Sequence, residues 1–299
     1  MLRRYHYLVA LANEKHFGRA AEKCNVSQPA LSNSIRQLEK DLGVSIVKRG
    51  RRFQGLTREG AKIVEYANKL INTESSLTQE LSLMREGLAG ILKIGVVPSA
   101  LPMLTLVTFQ FCRAYPKVEL SVKARNTTEI ERGLDDYSLD LGLTYLDVEP
   151  LPRGRKHSIY RQNFWVLTPI HGPFEGRESV TWSEMVEVPL VLLAPETLSR
   201  QLINEAFQDM DLQPTPQIQT DSMLNLSAFV RSGYWSSIVP RECFVFCSEP
   251  PGTRILPLTD PIVSHDIGLV IPERDPSSVL AQSLFDYAKD IDIEALLIR

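Results

Sequence analysis

The sequence predicts an α/β protein in which a small helical N-terminal part, one long helix and a larger two-lobed C-terminal part follow one another. Three observations lead to this fold class. Apolar residues in the first ninety positions recur at helical spacing. The last two hundred residues alternate short apolar runs with helical stretches. Glycines at 87 and 90 separate these parts. We therefore expect domains at 1–58, 59–88 and 91–299.

Charge is distributed unevenly along the 299 residues, whose net charge is −3. Residues 1–70 hold 14 Lys and Arg against 6 Asp and Glu, a net charge of +8, whereas residues 71–299 carry −11. Such asymmetry favours a polyanionic partner for the basic end, with chance clustering on a solvated face as the alternative. No apolar run is long enough for a membrane span and no signal peptide is evident, so a cytoplasmic protein with reduced cysteines is expected.

Three short helices are predicted in the basic part, over residues 2–13, 17–25 and 27–42. The third is the best defined, because Ser27 is a good N-cap, Pro29 suits the first turn and Gly43 ends the helix. Its apolar stripe, which we expect to be buried, comprises Leu31, Ile35, Leu38 and Leu42.

The opposite face of the third helix carries small polar and cationic groups and no large apolar side chain. These groups are Gln28, Pro29, Ser32, Asn33, Arg36 and Lys40. Amides and guanidinium groups pair with base edges, and cations pair with phosphates. Two short helices before a helix of this composition predict a helix-turn-helix that binds DNA, with Arg19 in the second helix as a further phosphate contact.

A basic hairpin follows. Val44, Ile46 and Val47 are β-branched or apolar strand formers, and Phe53 and Leu56 are expected to return as a second strand. The tip holds four cations, Lys48, Arg49, Arg51 and Arg52. Beside the third helix this predicts a winged helix-turn-helix whose wing contacts phosphates or enters a minor groove. A solvated basic loop is the alternative.

Thr57 is expected to cap a long helix that runs to about Leu88. Apolar residues recur every three or four positions, and only Glu74 interrupts them. The seam consists of Ile63, Ala67, Leu70, Leu77, Leu81, Met84 and Leu88. A sustained repeat of this kind favours dimerisation, and a helix packed only on its own domain is the alternative.

The stretch FGRAAEKCNVSQPALSNSIRQLEKDLGVSIVKR resembles the DNA-binding domain of LysR-type transcriptional regulators. The chain departs from that family pattern at Gly18, where a hydroxyl residue is frequent, at Cys24, at Asn33, where Arg is common, and at 46–47. The resemblance implies a homodimer or homotetramer, a dimer of dimers, that bends double-stranded promoter DNA. It also implies a small-molecule effector, and RNA polymerase as a further partner.

The remaining residues form two similar α/β halves. The pattern ILKIGVV, LPMLTLVTFQFCRAYP, VELSVKAR, TTEIERGLDD and LDLGLTYL restarts at FWVLTPI, and alternation of this kind predicts a parallel sheet. We expect one lobe at 91–163 and 267–299 and the other at 164–266. LKIG, LDLGL and the run 111–120 resemble the periplasmic-binding-protein-like effector domain of the same family.

Hydroxyl side chains lie where strands of such a sheet end and helices begin. They are Ser99, Thr127, Thr128, Thr197 and Ser199. Hydroxyls beside helix N-termini suit a small carboxylate or an inorganic anion, although each residue taken singly could be a plain N-cap. We further hypothesise that Trp235, where the family often has glycine, narrows the cleft and selects a small ligand.

Other chemistries find no support in the sequence. The five histidines have no metal-ligand spacing, and no catalytic or nucleotide-binding motif occurs, so neither an enzyme nor a cofactor is expected. The rival interpretation is a two-lobed solute-binding protein or small-molecule enzyme with a fused helical domain. Thiol redox sensing through Cys243 and Cys247 is a minor alternative.

Overall fold

The computed structural model describes residues 1–48, 50, 53–148, 153–246, 249–291 and 293, and the side chain of Glu86 is not described. The chain divides into two compact units. The first comprises Met1–Ala89, Asp135–Ser138 and Arg274–Leu280, and the second comprises Gly90–Leu134, Leu139–Glu273 and Ala281–Arg299. Each unit has its own apolar core.

Four helices form most of the first unit. They are α1 (Leu2–Glu14), α2 (Phe17–Lys23), α3 (Gln28–Leu42) and α4 (Arg58–Glu86). The caps follow the sequence: Ser27 and Thr57 accept backbone N–H groups of their helices through their hydroxyl oxygens, and Gly43 ends α3 at φ 68°. The core of this unit is built from Leu8, Leu11, Ala20, Ala21, Leu31, Ile35, Leu38 and Ile46.

The described residues of the basic hairpin between α3 and α4 do not form two regular strands, so that expectation is wrong for this part of the chain. One antiparallel bridge joins Val47 to Leu56. The reason lies in α3: Glu39 Oε1 accepts the backbone N–H groups of Ile46 at 2.7 Å and Val47 at 3.1 Å. Because the carboxylate accepts both N–H groups, this arm of the hairpin does not need the backbone hydrogen bonds of a partner strand for them.

The same hairpin arm is fastened to the start of α4. The Thr57 hydroxyl donates to the backbone oxygen of Ser45 at 2.6 Å, and the Thr57 N–H donates to that of Ile46 at 2.9 Å. Gly60 lies so close that a Cβ placed there would stand 2.1 Å from the Ile46 oxygen. Only glycine permits this approach of helix and hairpin.

Helix α4 has buried residues near its start and again at Ser76 and Gln79, whereas the later seam residues on this helix are exposed. Ala67 is fully buried in the first unit, beside α1. The later seam residues are exposed at 47% (Leu70), 55% (Leu77), 48% (Leu81) and 80% (Met84). Packing on its own unit therefore explains only the first part of the repeat. The helix ends before Gly87, whose φ is 88°.

The second unit alternates strands and helices. In chain order these are β1 (Gly90–Val96), α5 (Leu101–Ala114), β2 (Val118–Ala124), α6 (Thr127–Asp135), β3 (Leu141–Tyr145), β4 (Arg155–Pro169), β5 (Val180–Thr181), α7 (Trp182–Met185), β6 (Val191–Leu193), α8 (Leu198–Asp209), β7 (Ile218–Thr220), α9 (Met223–Arg231), β8 (Ser237–Pro240), β9 (Thr253–Thr259), β10 (Ser264–Ile271) and α10 (Val279–Ala288). Two 3-10 helices, Pro98–Ala100 and Arg241–Phe244, follow β1 and β8.

The sheet is mixed: the predicted parallel pairing holds for β1, β2 and β3, and antiparallel strands extend it. The order is β2-β1-β3-β10-β4-β9-β5, with β8 also paired to β4. Strands β1, β2 and β3 are parallel, whereas β10 and β4 run antiparallel to their neighbours. Strand β4 changes partner from β10 at Asn163 to β8 at Phe164. Two long strands thus connect the two lobes of the α/β domain.

Neither a membrane-spanning helix nor a metal-binding cluster occurs in the described residues. None of the helices there combines the length and apolar character that a membrane crossing requires. Within the same residues, no group of three or more His, Cys, Asp or Glu side chains could hold a metal ion.

Candidate nucleic-acid interface and effector site

Helix α3 presents a polar face to solvent and an apolar face to the core. Leu31 and Leu38 are fully buried and Ile35 is 2% exposed, as the stripe predicts. Leu42 is 37% exposed, so its expected burial is wrong. It occupies the last turn before Gly43, where the helix leaves the core.

The outward face of α3 is open. Gln28, Pro29, Asn33, Arg36 and Lys40 are exposed, and Ser32 is half-buried. Within the described residues, the side chains of Gln28, Asn33, Arg36 and Lys40 form no hydrogen bond or ion pair. Unpartnered amides and cations on one helix face leave their full bonding capacity for another molecule.

The remaining predicted DNA contacts lie in α2 and the hairpin. Arg19 is exposed, but its guanidinium already donates to the Glu14 backbone oxygen at 2.7 Å and lies 3.7 Å from the Glu14 carboxylate. Lys48 is exposed at the hairpin base, where its N–H donates to the Gly55 oxygen. Arg49, Arg51 and Arg52 lie outside the described residues.

Two of the predicted effector residues, Ser99 and Thr127, each contact a side chain of strand β3. Ser99 Oγ lies 3.1 Å from the hydroxyl of Tyr145, and Thr127 Oγ1 lies 3.0 Å from the hydroxyl of Thr144. All four side chains are buried. Thr128 is exposed at the start of α6. Consecutive residues of one strand therefore bring Ser99 and Thr127 to the same end of the sheet.

Thr197 and Ser199 form a second group at the start of α8. Thr197 caps the helix, accepting the Arg200 N–H and donating to the Ala194 oxygen at 2.8 Å. Ser199 Oγ is buried and has no hydrogen-bond partner in the described part of the chain. Arg200 is buried beside it and donates to the Leu193 oxygen, and burial lowers the pKa of its guanidinium. No contact joins this group to Ser99 in the described residues.

Trp235 has contacts that explain its position without a ligand. Its indole N–H donates to Gln217 Oε1 at 2.9 Å, and its ring packs edge-on against Phe229 and Tyr234. None of these neighbours is another predicted effector residue. A role in narrowing the cleft stays a prediction.

The structure adds buried polar residues that the sequence patterns did not indicate. Gln162 Nε2 donates to the Tyr145 hydroxyl at 2.9 Å. Its Oε1, the Tyr160 hydroxyl and Glu242 Oε2 are buried and have no partner among the described residues. Burial raises the pKa of Glu242 to about 7 and that of Tyr145 to about 12. No sequence motif signals this group, because three separate elements bring it together.

The environment of Cys243 disfavours redox sensing by this thiol. Burial, reinforced by the neighbouring Glu242, raises its pKa to about 12. A thiol that stays protonated at neutral pH is a poor nucleophile. Its predicted partner, Cys247, lies outside the described residues.

An N-terminal helix-turn-helix with an open polar recognition face, joined to a two-lobed α/β domain, defines a class of one-component transcriptional regulators. Family models agree with this class. The bacterial regulatory helix-turn-helix model of the lysR family matches residues 2–61, and the LysR substrate binding domain model matches residues 85–291. The chain belongs to the LysR family of transcriptional regulators, which bind promoter DNA and small-molecule effectors and form oligomers.

Similar proteins align with nearly the whole chain. A hydrogen peroxide-inducible genes activator from Pectobacterium carotovorum is 28% identical, over 97% of this chain and 96% of its own. The Escherichia coli HTH-type transcriptional regulator YnfL is 30% identical, over 94% of this chain and 95% of its own. A full-length OxyR variant from Pseudomonas aeruginosa superposes with a TM-score of 0.76 at 25% identity, covering 98% of this chain and 96% of that one. These similarities favour the regulator over the rival solute-binding protein or enzyme.

Proposed function

We propose that this regulator acts in the cytoplasm as a dimer of dimers that places α3 of each subunit in the major groove of promoter DNA. The exposed and unpartnered face of α3 carries the proposal. Gln28, Pro29, Ser32, Asn33 and Arg36 contact bases or nearby phosphates, and Arg19, Lys40, Lys48, Arg49, Arg51 and Arg52 contact phosphates or a minor groove. The exposed seam of α4 joins the subunits, and RNA polymerase is a further partner of the bound complex.

A binding measurement on the DNA upstream of the protein's own gene tests the interface. Gln28→Ala should lose about 1–3 kcal/mol at one base position and little on DNA already changed there. Gln37→Ala is the matched control, because Gln37 is exposed on the same helix but its side chain already donates to Asp41 at 2.7 Å. Equal losses from both variants on every DNA sequence would contradict the proposed role of Gln28.

We further infer that the effector is a small carboxylate or an inorganic anion. Ser99, Thr127 and Thr128 offer hydroxyls and backbone N–H groups at one end of the sheet, and Thr197 and Ser199 do so at α8. Trp235 limits the size of the ligand. Calorimetric titration with formate, acetate, nitrate and phosphate tests this part, with Ser99→Ala expected to weaken binding. A cleft that takes a large aromatic acid equally well would refute the role of Trp235.

A further inference from the structure

Glu242 lies in a 3-10 helix that packs against β4 and against the 3-10 helix containing Ser99. We name Ser99, Tyr145, Tyr160, Gln162 and Glu242 the β4 polar cluster. These side chains come from four elements, and none is more than 8% exposed. Strand β4 supplies Tyr160 and Gln162 on one face, because side chains alternate along a strand.

The contacts of the Tyr145 hydroxyl determine which groups donate and which accept inside the cluster. The Tyr145 hydroxyl oxygen accepts from Gln162 Nε2, so its single proton is available for Ser99 Oγ, 3.1 Å away. When Tyr145 donates this proton, the Ser99 proton has no acceptor in the described residues. Ser99 can then donate to a bound molecule. Tyr160 Oη and Glu242 Oε2 also lack partners there, and buried polar atoms of this kind are costly unless something bonds to them.

The charges around Glu242 compensate its carboxylate only in part, because burial has the largest effect and raises the pKa of this group to about 7 although Arg241 lowers it. From β4 the ionisable neighbour is Tyr160, and Arg161 is on the other face, donating to Ser264. From β3 it is Tyr145, whose pKa the Glu242 carboxylate raises further. On its own 3-10 helix, Cys243 is protonated and Arg241 stacks over Trp165 at 5.1 Å.

The other elements packed on this helix add no charge near Glu242. The 3-10 helix Pro98–Ala100 has no ionisable side chain, and those of α5, Cys112 and Arg113, are in its last turn. No ion pair involves Glu242 among the described residues. Ionised Glu242 is therefore a buried negative charge close to the side chain that would hold an anion.

We propose that Glu242 takes up one proton from solvent when a small anion binds at Ser99, so that this regulator senses its effector and pH together. The proposal rests on the anionic effector proposed above. The carboxylate and the proton become a neutral carboxyl, which removes the repulsion between Glu242 and the anion. The neutral carboxyl also has an O–H that can be donated within the cluster.

The proposed coupling predicts how the dissociation constant of the anion changes with pH. Because the pKa of Glu242 is about 7 before the anion enters, little proton uptake is needed at pH 6 and almost a full proton at pH 8. The dissociation constant of an anion that does not itself titrate should then rise by about tenfold for each pH unit above 7 and level off below it.

Isothermal titration of the full-length protein with nitrate and with acetate, at pH 6, 7 and 8, tests the proposal. Repeating each titration in buffers of different ionisation enthalpy counts the protons. We expect uptake approaching one proton at pH 8 in the wild-type protein and none in Glu242→Gln, with tighter binding by the variant at that pH. Glu119→Gln, which removes an exposed and unpartnered carboxylate from β2, should behave as the wild type does.

The outcomes separate this proposal from the one on which it rests. Absence of binding by either anion at every pH overturns the anion site and the coupling with it. Binding without proton uptake, or uptake that persists in Glu242→Gln, overturns the coupling alone. Anion affinity that increases with pH would mean that binding releases a proton, and it would overturn the coupling. The infrared band of a protonated carboxyl, growing on nitrate addition at pH 8 and absent from Glu242→Gln, provides a second measurement that does not depend on heats.

Discussion

Burial of Glu242 should make the stability of the second unit depend on pH. The pKa of this carboxyl is raised from 4.5 to about 7 in the folded protein. The folded state therefore binds the proton more tightly than the unfolded state does. This contribution to stability is fully present below about pH 4.5 and is lost as pH rises through 7. A shift of about 2.5 pKa units corresponds to about 3 kcal/mol, of which about 2.5 kcal/mol is lost between pH 5 and pH 8.

Glu242→Gln removes this titration and leaves the others in place. The unfolding free energy of the variant minus that of the wild type should increase by about 2.5 kcal/mol from pH 5 to pH 8. Urea unfolding followed by tryptophan fluorescence measures it, because all three tryptophans belong to the second unit. Glu119→Gln serves as the control and should give a nearly constant difference. A difference that is also constant for Glu242→Gln would refute the argument that burial raises the pKa of this carboxyl in the folded protein.

Three further predictions concern the first unit. Leu77→Lys should weaken subunit association in sedimentation experiments without lowering the melting temperature, whereas Leu83→Lys, equally exposed in α4 but off the seam, should leave association unchanged; equal effects would contradict the seam. Gly60→Ala should destabilise the unit by about 1–3 kcal/mol, since its Cβ would meet the Ile46 oxygen at 2.1 Å. A variant as stable as the wild type would show that the hairpin can shift away from the helix at little cost. Arg51→Ala should weaken DNA binding uniformly and reduce the salt slope by about one phosphate, and an unchanged slope would count against a phosphate contact.

The helices of the first unit could be predicted because capping residues and apolar spacing agree there. Ser27, Pro29 and Gly43 bound α3 to within a residue, and Thr57 caps α4. The two hairpin strands are predicted from β-branched and apolar residues on either side of a turn glycine. The structure replaces their ladder with the Glu39 carboxylate, a contact between residues seven and eight positions apart that strand propensity does not reveal.

In the second unit, strands buried on both faces were recognisable and crossover strands were not. The first half of β4, RKHSIYRQN, is rich in charged and polar residues, and periodicity gave no reason to expect a strand there. The sheet is mixed because this strand and β10 run antiparallel to the strands beside them. The β4 polar cluster was missed for a related reason. Its members are separated by up to 143 positions between Ser99 and Glu242, and only tertiary folding brings them together.

Because the base of the hairpin is bonded to the first turn of α4, a small rotation of this long helix displaces the hairpin base by a large distance. The 29 residues of α4 extend about 44 Å, and the bonds of Thr57 together with the close approach of Gly60 fasten Ser45 and Ile46 to its N-terminal end. A pivot of about ten degrees about the far end would carry these residues sideways by about 8 Å, a little more than two base-pair steps. In the proposed dimer, a small rearrangement where two such helices meet would therefore change the distance between the half-sites that the dimer can bind.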